Sequence, residues 1–288
     1  MSICIFCHKD SSGSKSLEHI IPESLGNKKW VLPKGYVCDA CNNYFARKIE
    51  KELLEQPYFV SLRFRKEILT KKNRLVKQHM IFPGAMKATD VIMLSTPDGV
   101  LASFDDEEIY EKIKTGNCHQ MIAPYLPEPD FPNEKMSRFL AKCAYEYFLY
   151  NMGEEKFDLC VQEFMANKEG KSILDAIRKY ARYGKGEYWQ YSQRRIYPES
   201  ALFVDSKKKP YEILHEMKLF VKELTHKENN QIEAEIYFIL AICGIEYSIC
   251  LSDPDISEYN QWLKENNYKS PLVNESEKML PYIYPNLI

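Results

Sequence analysis

Two Cys-x-x-Cys pairs, Cys4-Ile5-Phe6-Cys7 and Cys38-Asp39-Ala40-Cys41, stand 30 residues apart at the start of a 288-residue chain. A single pair arises by chance or in redox sites; two pairs at this separation are the ligand set of a closed, tetrahedral, structural zinc site. The chain has nine cysteines, an odd number, which with paired spacing favours metal over disulfides in a reducing compartment. Cys118, Cys143, Cys160, Cys243 and Cys250 are scattered among apolar neighbours and read as small buried hydrophobes. So short a segment as residues 1–56 buries too little surface to fold easily by itself, and a structural metal is the usual remedy. The pairs therefore predict a zinc-stapled N-terminal module; His8 beside Cys7 is a fifth ligand candidate, and such a residue is more often a bystander.

Between the pairs runs Leu17-Glu18-His19-Ile20-Ile21-Pro22, and the second pair leads straight into Asn42. These side chains carry the functional groups that phosphodiester hydrolysis needs. A histidine takes a proton from water near neutral pH. A hard divalent cation on oxygen ligands stabilises the charge that develops on phosphate and leaving oxygen. Adjacent residues of a strand point to opposite faces, so Glu18 and His19 serve one site only if the strand ends or twists there, and Pro22 favours such an ending. Asn42 offers an amide oxygen at a helix start, where free N–H groups also favour an anion.

The string Cys4-x-x-Cys7, Glu18-His19-Ile20-Ile21-Pro22, Leu25-Gly26 and Cys38-x-x-Cys41-Asn42 resembles the HNH endonuclease family, in its zinc-knuckle branch. The resemblance covers about the first 55 residues. It implies a ββα-metal fold with one catalytic cation, Mg2+ or Mn2+. On this resemblance His19 corresponds to the general base, Glu18 and Asn42 to the catalytic metal ligands, and Cys4, Cys7, Cys38 and Cys41 to the structural zinc ligands. Glu18 stands where aspartate is commoner. The asparagine that braces the loop before the second knuckle has no clear counterpart, Asn27 being near but early.

The expected fold class is α+β: an N-terminal zinc-stapled ββα-metal (HNH) module over residues 1–56, a basic, helical linker over 57–80, and a larger mixed α+β region over 81–288 with an internal boundary near 124–132, where Pro124, Pro127, Pro129 and Pro132 cluster. Helix 43–55 follows Asn42 and Asn43 as caps and ends at Pro57. Val91–Ser95 and Val100–Phe104 flank the turn Thr96-Pro97-Asp98-Gly99 and predict a hairpin, followed by an acidic helix over 105–114. Helical patterns span 133–152, 154–167 and 171–183, the first with Met136, Phe139, Leu140, Cys143, Tyr147 and Tyr150 on a core stripe. Residues 201–251 read as strands, with a turn at 227–230 and Gly244 as a turn or bulge. The proline-bearing tail from Pro271 reads as irregular.

Residues 1–80 hold 15 Lys and Arg against 8 Asp and Glu, a net of +7, whereas the remainder nets −9. A basic segment around the metal-type motif suits a polyanionic partner, which the family resemblance implies is DNA, or is an ordinary solvated surface. Arg47 and Lys48, one turn into the helix, and Arg63, Arg65 and Lys66 in the basic run that follows are candidate phosphate contacts. No apolar run reaches the ~18 residues a membrane span needs. Cleavage of a leader would remove Cys4, so the expected location is cytoplasmic. Two functions follow. One is a metal-dependent HNH endonuclease hydrolysing DNA, associated by family resemblance with antiviral defence, its C-terminal region supplying substrate choice, a homo-oligomer contact or a partner-protein surface. The other is a non-catalytic zinc-knuckle nucleic-acid-binding or adaptor protein with a degenerate HNH module.

Overall fold

In a computed structural model the chain is mixed α+β. The structure describes residues 2–166, 173–204, 207–225 and 232–272. The turn expected at 227–230 and the tail beyond Leu272 lie outside the described residues. Among the described residues no helix is long and apolar enough to cross a membrane.

In chain order, α1 (Asp39–Phe45) begins at Cys38 and runs through a wider helical turn, Ala46–Glu50, into α2 (Lys51–Leu54). Helix α3 (Pro57–Arg65) opens with proline at its first position, where no intrahelical N–H is needed. The helical linker expected over 57–80 stops there. Glu67 and Asn73 take left-handed backbone conformations (φ 50° and 53°), which a continuing helix does not tolerate. Strands β1 (Gln78–Phe82), β2 (Lys87–Thr96) and β3 (Gly99–Phe104) form an antiparallel sheet, with the hairpin where the Pro-Asp-Gly turn places it. Helix α4 (Glu107–Lys114) is capped by Asp106, whose carboxylate accepts the Ile109 amide at 3.0 Å.

The second half contains α5 (Glu134–Ala166), α6 (Ile173–Tyr183), β4 (Ser192–Arg195), the short pair β5 (Phe203–Val204) and β6 (Pro210–Tyr211), β7 (His215–Thr225), β8 (Ile232–Ile242), β9 (Ile245–Cys250) and α7 (Ser257–Glu265). Helix α5 is continuous through Gly153, where two helices are expected from sequence.

The chain divides into two units. One holds residues 21–29 and 50–130: the three-stranded sheet with α2, α3 and α4. Its core gathers Phe64, Met80, Phe82, Ala85, Val91, Ile109 and Cys118, and β1 alternates buried and exposed as a one-sided sheet requires. The other holds residues 1–20, 30–49 and 131–288. Its antiparallel sheet has the order β4-β9-β8-β7. Tyr237, Ile239 and Ala241 of β8 pack with Tyr259 and Leu263 of α7. Alternate residues turn the other way, and Phe238 meets Tyr147 of α5 with ring centroids 5.5 Å apart. Covered on both faces, β9 is buried at every position. The β8–β9 turn needs Gly244: its φ is +86°, and a Cβ there would lie 2.2 Å from the Tyr197 carbonyl oxygen.

Candidate metal centre and Glu18–His19 edge

Each cysteine pair is shaped by its backbone. The amide of Cys4 donates to the Lys9 carbonyl and that of His8 to the Cys4 carbonyl, both at 2.9 Å, closing the first knuckle with His8 at φ 57°. The second knuckle is a helix start, where Cys38 occupies the N-cap and its sulfur accepts the Cys41 amide at 3.4 Å. An Ile5-to-Tyr36 backbone hydrogen bond of 2.9 Å brings the two knuckles together. The four ligand sulfurs all lie within 4.8 Å of one another, and Cys7 and Cys38 are 3.6 Å apart. A Zn–S bond of ~2.3 Å gives a tetrahedral edge of about 3.8 Å, so the cluster fits a zinc ion. Cys4, Cys38 and Cys41 are buried and Cys7 is half-buried. Set against each other, the two sulfurs hold the Cys4 thiol below the usual cysteine value and push that of Cys41 above it. Among the described residues these four cysteines are the group of His, Cys, Asp or Glu side chains placed to hold a metal.

Residues 15–20 form an edge laced to α1 on one side and to residues 30–32 on the other. Asp39 accepts the amides of Lys15 and Ser16 at 3.0 and 2.9 Å and also takes the Ser16 hydroxyl. Asn42 donates from Nδ2 to the Leu17 carbonyl at 3.0 Å. Opposite, His19 bridges Val31, with Leu32 donating to the Glu18 carbonyl and Ile20 to that of Trp30. This extended pairing sets the alternation: Glu18 points inward, 6% exposed, and His19 is half-buried.

The inward carboxylate meets a cation from far along the chain. Lys142 of α5, fully buried, places Nζ 2.7 Å from Glu18 Oε1 and 3.2 Å from Glu146 Oε2. The same ammonium donates to the carbonyls of His19 at 2.9 Å and Ile20 at 3.3 Å. Lys142 and Glu146 were missed by sequence reasoning, although a signal exists: they form an i,i+4 charged pair inside the apolar stripe of Phe139, Leu140, Cys143 and Tyr147. Asn27 does brace its loop. Buried, it donates to the Ile21 carbonyl at 2.7 Å and accepts the Lys29 amide at 2.9 Å.

The candidate phosphate contacts differ in placement. Arg47 and Lys48 are exposed, and Arg65 and Lys66 are half-exposed. Arg65 lies over the Tyr125 ring, 5.0 Å from its centroid. Arg63 is buried at 8% exposure, and desolvation lowers its guanidinium below the usual arginine value.

Residues 4–58 match a protein-family model described as HNH endonuclease. Comparisons with curated proteins and with solved structures give no match. With the sulfur cluster inside the matched span, residues 4–58 constitute an HNH, zinc-knuckle-like module at the head of an α+β chain.

Proposed function

We propose that the chain is a nucleic-acid-binding protein in which the HNH module serves as a zinc-stapled docking element, and in which Glu18 holds the fold together rather than a catalytic cation. The observation that carries this reading is the buried Glu18–Lys142 pair at 2.7 Å. Breaking one partner out of a buried pair costs about 3–5 kcal/mol. At ~1.4 kcal/mol per decade, a divalent cation recruiting Glu18 from Lys142 loses about two to four decades of affinity. Mg2+ sites usually rest on one or two carboxylates, so this loss is decisive for a site built on Glu18. The exposed Arg47 and Lys48 supply backbone contacts of the sequence-independent kind.

A second reading, the metal-dependent endonuclease with His19 as base and Mg2+ or Mn2+ on Glu18 and Asn42, is favoured by one observation. The Asn42 amide nitrogen is held by the Leu17 carbonyl, which leaves the amide oxygen for a cation. The deciding experiment uses the full, zinc-loaded chain with duplex, branched and single-stranded DNA and with RNA. Binding is followed by fluorescence anisotropy across a salt series, and cleavage is followed with added Mg2+ or Mn2+. The expected result is salt-sensitive binding and intact substrate. Cation-dependent cutting that disappears in a folded His19→Ala variant establishes the endonuclease instead, and absence of binding to every nucleic acid removes both readings.

A further inference from the structure

Helix α6 carries two arginines one turn apart, Arg178 and Arg182, and each reaches a different zinc knuckle. Arg178 is buried and donates through NH1 to the carbonyl of Phe6, inside the first Cys-x-x-Cys loop. Its orientation is fixed by Asp175, whose Oδ1 accepts from Nε at 2.8 Å. Arg182 donates through Nε to the sulfur of Cys41 in the second knuckle at 3.2 Å. Its guanidinium carbon lies over the Tyr44 ring, 3.9 Å from the centroid, and Arg138 fixes that tyrosine by donating to its hydroxyl at 2.7 Å.

We infer that Arg182 is an outer-shell residue of the zinc centre, and that α6, with Arg178, clamps both knuckles around the ion. The inference rests on zinc occupying the four cysteines and is independent of what the module binds. The chemistry is specific. Four thiolates around Zn2+ leave a net charge of about −2, and sulfur in such a site accepts charge-assisted hydrogen bonds that offset it. An arginine N–H aimed at the Cys41 sulfur offsets part of that charge. Outer-shell partners of this kind are worth about 10–100-fold in metal affinity. Sequence reasoning finds no trace of this contact, because the ligand and its donor are 141 residues apart.

The test measures zinc affinity by competition with a chromophoric chelator and records the thiolate-to-cobalt charge-transfer band of the Co2+-substituted full chain. R182M, which keeps the apolar stem over Tyr44, is expected to lose about 10–100-fold in zinc affinity and to shift the band. R182K, which keeps the charge but not the Nε–H, gives an intermediate loss and serves as the reading if R182M does not fold. Reciprocally, zinc removal increases amide exchange across α6. Wild-type affinity and band in folded R182M or R182K overturn the inference alone. A wild-type chain that takes up no zinc overturns it together with the zinc assignment.

Discussion

Replacing Lys142 by methionine is the sharpest perturbation of the N-terminal module, because one ammonium joins four groups there. At an effective dielectric of ~20, its attraction is about 6 kcal/mol to Glu18 at 2.7 Å and about 5 kcal/mol to Glu146 at 3.2 Å. Most of this is cancelled by the cost of dehydrating three charges, so the attraction is not the net stability contribution. Removing only the cation does not recover that dehydration cost. It leaves two carboxylates buried and takes a charged donor from the His19 and Ile20 carbonyls. The expected loss is about 3–5 kcal/mol, a large part of the ~5–15 kcal/mol that holds a typical domain. Urea unfolding at neutral pH, followed by tryptophan fluorescence, measures it. Adding Glu18→Gln and Glu146→Gln to K142M removes the two uncompensated charges and is expected to recover much of the loss, giving coupling energies of about 0.5–3 kcal/mol in double-mutant cycles.

The same variant tests the metal question. In K142M the freed carboxylates have a reason to take a divalent cation, so Mg2+ or Mn2+ should raise its melting temperature, with about 2.7 kcal/mol of stabilisation at 100 times the dissociation constant. The zinc-loaded wild-type chain should be indifferent to the same cations. The reasoning fails if K142M is within about 1 kcal/mol of wild type. It also fails if wild type is stabilised by Mg2+ through a site that Asn42→Ala abolishes.

Three further outcomes are expected. Cys38→Ser should reduce the bound zinc, measured by mass spectrometry, from one ion per chain to none and unfold the module, since zinc binding of about 10–16 kcal/mol in small domains exceeds their other stability; wild-type stability without zinc would contradict this. Asp39 is held below the usual carboxylate value by the Ser16 hydroxyl first and the Ser16 and Lys15 amides next. A depressed folded value contributes stability that is complete above the unfolded pKa near ~3.9 and lost as pH falls through the folded value, so wild type should lose more than Asp39→Asn in acid unfolding curves below about pH 4; parallel curves would refute the assignment. Arg47→Ala with Lys48→Ala should weaken duplex binding and flatten the slope of log K against log salt by about 1.8, as two lost phosphate contacts require, and an unchanged slope would remove these residues from the interface.

How much of this was legible depended on distance along the chain. The knuckles and the β2–β3 hairpin are local patterns, set by spacing and turn chemistry over a few residues, and each could be read directly, whereas the helix expected to follow Asn42 and Asn43 as caps starts earlier, at Asp39, because the Cys38 sulfur takes the N-cap role and places Asn42 inside the first turn. Residues 66–77 misled because charge was taken as a helical surface, whereas the segment has no apolar stripe to pack and turns at Glu67 and Asn73. Helix α5 was divided at Gly153 because glycine costs a helix about 1 kcal/mol, an amount that packing of the long Met136–Tyr147 stripe overrides. The inward turn of Glu18 was beyond reach. Its partner lies 124 positions later, and nothing local distinguishes a carboxylate aimed at a cation from one aimed at a lysine.

The long-range contacts converge on one consequence for the matched segment. Within the unit that contains the knuckles, Tyr145 donates to the Ile5 carbonyl at 3.1 Å, Cys143 to that of Ile20 at 2.9 Å, and Arg178 to that of Phe6. Phe6, fully buried, packs its ring against Tyr145 at 5.3 Å as well as Phe45 at 4.5 Å. Helices α5 and α6 thus supply apolar cover and hydrogen-bond donors for backbone that the family-matched residues cannot satisfy among themselves. Each buried carbonyl left without its donor costs about 1–3 kcal/mol, and Glu18 without Lys142 adds about 3–5 kcal/mol. That total rivals the zinc binding energy itself, about 10–16 kcal/mol in small domains. A fragment of residues 1–58 should therefore bind zinc yet lack a fixed tertiary structure, showing poor amide dispersion by NMR. Dispersed, native-like spectra from the zinc-loaded fragment would mean that the knuckles fold the module alone and that α5 and α6 only rest upon it.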